Sequence, residues 1–196
     1  TRLLKNIGGL WIFQQIRASM IRRGTERTWG EMVDLAKAAN PFSCLINPDD
    51  PAFAAPDDMV DAIKTRATQT GQVLPEDEGA LYRSALEGLA LRYRVCLGML
   101  ESLLGNKIET IHIVGGGSVN ELLCQMTADA CDRQVIAGPV EATAIGNVMM
   151  QMIGTGKLNS IDEGRQLVRD SFETKTFVPA DAAAWNEPAE RFQAIA

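Results

Sequence analysis

Ile111-His-Ile-Val-Gly-Gly-Gly-Ser-Val-Asn-Glu121 is the stretch on which the reading of this chain turns. Ile111 to Val114 is an apolar run long enough for a buried strand and too short for a helix. Three glycines follow. Ser118 and Glu121 then stand three residues apart, the spacing of a capping box that opens a helix. Leu122, Leu123, Met126 and Ala130 continue that helix on one apolar stripe. A strand, a bare-backbone turn and a helix start make a place where a nucleotide can sit. Glycine lets the main chain come close to a flat base or a phosphate, and a helix start offers free N–H groups. The same residues also spell a tight strand-to-helix turn that holds nothing. The motif alone leaves both readings open.

Two familiar nucleotide loops do not fit. A P-loop requires a Lys after its last glycine, and none follows Gly117. A dinucleotide fingerprint requires a third glycine where Asn120 stands; Gly115 and Gly117 supply only its first half. The next strand candidate, Gln134-Val-Ile-Ala-Gly-Pro139, carries no acidic residue to hold a ribose. The glycine turn is therefore of another kind.

Composition narrows the classes. The chain has 196 residues, 46% of them hydrophobic and 22% charged, ordinary for a globular domain. A net charge of −6 and the lack of a long basic run argue against nucleic acid as the main partner. No apolar stretch approaches the roughly 20 residues needed to cross a bilayer. With no signal peptide in view, a cytoplasmic setting is expected. Cys44, Cys96, Cys124 and Cys131 form no CxxC pair, and His112 is the single histidine, so the pattern does not suggest zinc. The cysteines read as buried or half-buried thiols in a reducing compartment. His112, inside the proposed strand without an acidic neighbour, reads as structural.

Outward from the glycine turn, the chain is mostly helical. Asn6 can cap a helix over 7–23, closed by Gly24, with Leu10, Phe13, Ile16 and Met20 on its apolar stripe. Gly8 and Gly9 near its start suggest either a frayed turn or a close approach of something to the backbone. Thr28 and Glu31 form a capping box for a helix to Ala39, ended by Asn40-Pro41. Prolines 41, 48, 51 and 56 make the next stretch irregular. A third helix spans 57–70. After Pro75, the longest helix runs from about Glu76 to Leu104, roughly 43 Å at about 1.5 Å per residue. Tyr82, Leu86, Leu89, Tyr93, Cys96, Leu97, Leu100 and Leu104 recur on its apolar stripe, which reads as a central scaffold. A short strand over 134–137, a Gly138-Pro139 turn and a helix over 141–153 follow; Ala142, Ile145, Gly146 and Met149 are its expected packing face, with Ala144 beside it. A helix from Ile161 to about Ser171 precedes a less regular end around Phe177-Val-Pro179. Only two or three short strands can be found, fewer than a nucleotide-binding α/β fold carries. A piece of a longer protein is expected.

These pieces, in this order, resemble the C-terminal domain of the FGGY family of carbohydrate kinases over nearly the whole chain. The marks are Leu4-Lys-Asn-Ile-Gly-Gly-Leu-Trp11, Asn47-Pro-Asp-Asp-Pro51, Ala85-Leu-Glu-Gly-Leu-Ala90, the glycine turn, and Val135-Ile-Ala-Gly-Pro-Val-Glu-Ala142. The first and last of these runs point, within the family, to kinases of L-rhamnulose. The resemblance implies a helix-rich α/β fold of the actin-like (ribonuclease-H-like) kind, one nucleotide-binding domain over 1–196 lacking its first strands. Its partner would be an N-terminal domain of the same polypeptide across a cleft. It further implies ATP and Mg2+, with the γ-phosphoryl group passing to the sugar's 1-hydroxyl in rhamnose metabolism. By the family pattern Gly116, within Gly115 to Gly117, contacts the adenosine, Asn120 and Gln14 contact the nucleotide, and Asn6 contacts the sugar. On one continuous helix Asn6 and Gln14 would stand roughly 12 Å apart, enough to serve the two substrates. The family's general base, an aspartate, belongs to the N-terminal domain, so none of Asp34, Asp49, Asp129 or Asp132 is given that role. Three alternatives remain: a kinase of another ketose such as xylulose or fuculose, a non-enzymatic actin-like ATP-binding module, and a dinucleotide-binding piece of an oxidoreductase.

Overall fold

A computed structural model describes residues 3–72 and 77–195. The expected helix start at Pro75 and Glu76 lies outside them. The architecture is built around α4 (Glu78–Leu104). Asp77 caps it, accepting from the Ala80 N–H at 2.7 Å, and Gly105 ends it in the left-handed conformation at φ 70. Tyr82, Leu86 and Leu89 are fully buried, so the scaffold role stands. Burial ends at Cys96 and Leu97, however. Leu104, expected on the same stripe, is half exposed, because the helix there runs past its neighbours.

Two walls pack on α4. One is formed by α1 (Trp11–Arg22) and α2 (Trp29–Ala38), with α3 (Met59–Gln69) packed on α1; the other is α5 (Glu121–Cys131). The main core joins Phe13 and Ile16 of α1, Met32 of α2, Met59 and Ile63 of α3, and Leu123 and Met126 of α5. The Thr28–Glu31 capping box forms as expected: the Thr28 hydroxyl accepts from Glu31 N at 3.3 Å and Glu31 accepts from Thr28 N at 2.7 Å. Two residues of the Ala85–Ala90 run have packing reasons. A Cβ at Gly88 would lie 2.2 Å from the Ile46 carbonyl oxygen, so only glycine lets α4 meet that loop. Glu87 is buried, pairs with Arg83 at 2.6 Å and accepts from Phe42 N at 2.9 Å.

The sheet has three strands in the order β1-β2-β3. β1 (Thr110–Ile113) and β2 (Gln134–Ala137) are parallel, with Ile111 opposite Val135, and α5 is their crossover. β3 (Lys175–Phe177) adds an antiparallel edge, Val135 facing Phe177. This strand emerges from the end expected to be less regular; three residues are too few to show a period of two. Val135 and Ala137 pack beneath Cys124 and Ala128 of α5 in a small second core.

Three expectations are corrected. The first helix starts at Trp11, not residue 7, because Gly9 takes φ 56 and breaks any earlier turn. Asn6 is thus no helix cap; Leu10 holds that place without a side-chain bond. The 12 Å spacing argued for a continuous helix from Asn6 to Gln14 falls with it. α6 (Ala142–Gly154) buries none of its residues fully, and a Cβ at Gly146 would meet nothing within 4 Å. Among the described residues, Gly146 therefore serves no close helix contact. α6 meets α7 (Ile161–Ser171) instead through Met149, whose sulfur would lie 2.4 Å from a Cβ at Gly164. Finally, a helix α8 (Asn186–Gln193) follows Trp185 and packs Phe192 into the core, an element the sequence did not suggest.

Candidate nucleotide-binding site

The glycine turn follows β1 directly. Gly115 takes φ 75, a conformation that favours glycine, and its N–H donates to the Pro139 carbonyl at 3.2 Å. The chain then makes a 3-10 turn, Gly115–Val119, before α5. The expected Ser118–Glu121 capping box does not form. Ser118 donates instead to the Gly115 carbonyl at 2.7 Å, and Asn120 caps α5, its Oδ1 accepting from Leu123 N at 3.0 Å. The extra 3-10 turn shifts the helix start by two residues, which frees Glu121 to pair with Lys175. That hydrogen bond and charge hold the Glu121 carboxyl below its ordinary range.

Gly116 and Gly117 differ from Gly115. Neither has a positive φ, a Cβ at Gly116 would meet nothing within 4 Å, and one at Gly117 would make only an ordinary contact with Ile113 at 3.6 Å. The fold itself has no need of glycine at either place. Both face a cavity of about 730 Å³ between the turn and the first two helices.

Leu10, Phe13 and Gln14 come to this cavity from the α1 side, Trp29, Val33 and Lys37 from α2, and Asn120 from the start of α5. The walls are largely apolar. Trp29 stacks on Phe13 at 6.2 Å between ring centres, and the Arg17 guanidinium stands 5.0 Å from the Trp29 ring. Lys37 and Asp34 carry charge to the rim. An apolar slot with a bare backbone floor and a few polar groups suits a purine nucleoside.

The structure thus brings Gln14, Gly116, Gly117 and Asn120 together. Gly115 shapes the turn from behind. Asn6 is exposed and is not among the residues lining the cavity. Sequence reasoning missed the contribution of α2. Trp29, Val33 and Lys37 recur every four residues, on a different side from the buried Met32 and Ala36, and that spacing was the available signal.

All four cysteines are free and buried. Burial pushes the Cys44 and Cys124 thiols up to about 11 and that of Cys131 up to about 12, so none of these three is poised as a nucleophile. Among the described residues no group of three His, Cys, Asp or Glu side chains could hold a metal ion. No helix among them is long and apolar enough to cross a membrane.

A long scaffold helix flanked by helical walls, with a small mixed sheet and a glycine turn beside the cavity, makes a helix-rich α/β domain consistent with the actin-like fold. The chain belongs to the FGGY family of carbohydrate kinases: the sequence pattern of that family's C-terminal domain matches residues 1–155. It is 45% identical over 185 residues to the rhamnulokinase of Bacteroides thetaiotaomicron, covering 94% of this chain and 37% of that protein. It is 39% identical over 198 residues to the rhamnulokinase of Enterococcus faecalis, covering 99% of this chain and 39% of that one. The chain therefore spans under two fifths of the length of these relatives. Among solved structures, xylulose kinase from Rhodospirillum rubrum superposes with a TM-score of 0.66 at 21% identity, over 95% of this chain and 37% of that one. Plasmodium falciparum glycerol kinase with ADP gives 0.67 at 14% identity, over 95% and 36%.

Proposed function

We propose that this chain is the ATP-binding C-terminal part of a kinase that transfers the γ-phosphoryl group of ATP to the 1-hydroxyl of L-rhamnulose. The observation that carries the nucleotide half of this reading is the pair Gly116 and Gly117, glycines that the fold does not require, set against an apolar cavity. The likeness to rhamnulokinases supports the choice of sugar. In this reading Gly115 to Gly117 form the shelf for the adenosine, Phe13 and Trp29 close its apolar side, and Gln14 and Asn120 supply polar contacts. Asn6 reaches the sugar from the segment that leads into α1.

Phosphoryl transfer is mostly positioning and charge neutralisation. These residues do the positioning of the nucleotide. The general base and the groups that hold the β- and γ-phosphates belong to the N-terminal domain of the same polypeptide; magnesium bound with those phosphates would neutralise part of their charge. Closure of the two halves excludes water, so that sugar receives the phosphoryl group. The setting is the cytoplasm, in rhamnose breakdown, which suits four free thiols.

The 196-residue chain alone is expected to transfer no phosphoryl group to L-rhamnulose. In the complete polypeptide, Gly116→Arg fills the shelf and should raise the KM for ATP far more than the KM for sugar. The opposite pattern would contradict the assignment. Initial rates with L-rhamnulose, D-xylulose and L-fuculose decide the sugar.

A further inference from the structure

Asn47-Pro-Asp-Asp-Pro51 is a conspicuous run that the nucleotide reading leaves without a task. In the structure it grips the chain just before α1. Asp49 uses both carboxylate oxygens. Oδ1 accepts from the Gly8 N–H at 2.9 Å, and Oδ2 accepts from Arg92 Nε at 2.7 Å. The side chains of Asp49 and Arg92 are 18% and 11% exposed, so water screens the pair little. Asn47 Oδ1 accepts from Asp49 N at 3.1 Å and sets the bend of the loop. From the other side, a Cβ at Gly8 would lie 2.6 Å from the Pro48 carbonyl oxygen. Gly8 is therefore pressed flush against this loop.

The consequence is mechanical. Residues 3–8 belong to no helix or strand, so no ladder of backbone bonds fixes their course. The Gly8 N–H bond to Asp49 ties them to Arg92 on α4, the most deeply buried element. Asn6 lies two residues before Gly8, and Leu10, which lines the nucleotide cavity, lies two residues after it.

We propose that Asp49 is a positioning residue for the sugar side of the reaction: through the Gly8 amide it sets where Asn6 stands relative to the nucleotide shelf. This rests on the reading of Asn6 as a sugar contact. Asp49 touches neither substrate. Its charge matters because the same carboxylate must satisfy a guanidinium and an amide at once, and an amide side chain can accept only through its single oxygen.

The test is steady-state kinetics of the complete kinase with ATP and L-rhamnulose. Asp49→Ala should raise the KM for sugar about tenfold or more, since small misplacements of positioning groups are costly. The KM for ATP should stay within about twofold, because the shelf is built on α5 and the helix walls. Asp49→Asn keeps an acceptor for Gly8 N–H and should recover part of the loss. Arg66→Ala is the structural control. It breaks the Asp50–Arg66 pair, 2.5 Å, which ties the same loop to α3, and should lower the Tm with both KM values unchanged. If Asp49→Ala does not fold, Asp49→Asn alone is read, and a selective rise in sugar KM supports the proposal. Parallel changes in both KM values, or no change in either, overturn it. Asn6→Ala, measured alongside, separates the two ideas. If it raises the sugar KM while the Asp49 variants do not, the positioning role falls and the sugar contact stands. If it does not, the sugar contact falls and the proposal falls with it.

Discussion

Replacing Glu87 by Gln measures how α4 is seated against the loop that carries Phe42. Glu87 is 1% exposed, with Arg83 Nε at 2.6 Å and the Phe42 N–H at 2.9 Å as partners. Burial is the largest influence and raises its carboxyl to about 7, against the lowering effect of the Arg83 charge and hydrogen bond. The folded protein thus binds this proton more tightly than the unfolded chain, whose carboxyl titrates near 4.5. The stabilisation from that proton is complete below pH 4.5 and is lost as pH rises through about 7. Taken over that interval it corresponds to about 3 kcal/mol, a large share of the roughly 5–15 kcal/mol that holds a domain together. Glutamine has nothing to titrate there. Urea unfolding of both proteins over a pH series isolates the effect, because carboxyls held low elsewhere, such as those of Asp58 and Glu101, cancel in the difference. The excess stability of the parent over Glu87→Gln should fall by about 3 kcal/mol between acid and neutral pH. A difference that stays flat or grows with pH would mean that the Arg83 ion pair outweighs burial, and would refute the reasoning.

Other expectations follow from single contacts. Gly88→Ala places a methyl group 2.2 Å from the Ile46 carbonyl oxygen and should cost about 1–3 kcal/mol or more in urea unfolding; a neutral result would contradict the close approach. Gly116→Ala meets open space, so its Tm should match the parent. Titration calorimetry should nonetheless find ADP binding weakened about tenfold, about 1.4 kcal/mol. Leu89→Ala, at a fully buried site, should lose about 2–5 kcal/mol. The four cysteines should react with a thiol reagent only as fast as the chain unfolds, and rapid labelling of the native protein would contradict their burial.

Much of the fold was legible in the sequence because long helices advertise themselves. The Thr28–Glu31 box, the stripe of α4 and the strand before the glycine turn all follow from local chemistry. The misses have physical causes. Asn6 looked like a helix cap because Asn often is one, but the φ of Gly9 starts the helix four residues later than residue 7. Ser118 and Glu121 had the spacing of a box, yet a 3-10 turn moved the cap to Asn120. β3 is visible only through its partner β2, and α6 offers a Gly146 that no neighbour among the described residues approaches. Of the cavity's lining, Gly116 and Gln14 were expected from the family pattern. The α2 wall and the Asp49 grip depend on contacts between distant segments, which no local pattern records.

The most direct measurement is a crystal structure of this chain, or of the complete kinase, with a non-hydrolysable ATP analogue. The adenosine should lie on the backbone of Gly116 and Gly117, with Phe13 and Trp29 on the apolar side and Gln14 and Asn120 in reach. A nucleotide bound elsewhere, with protein side chains filling the space above those glycines, would contradict the account.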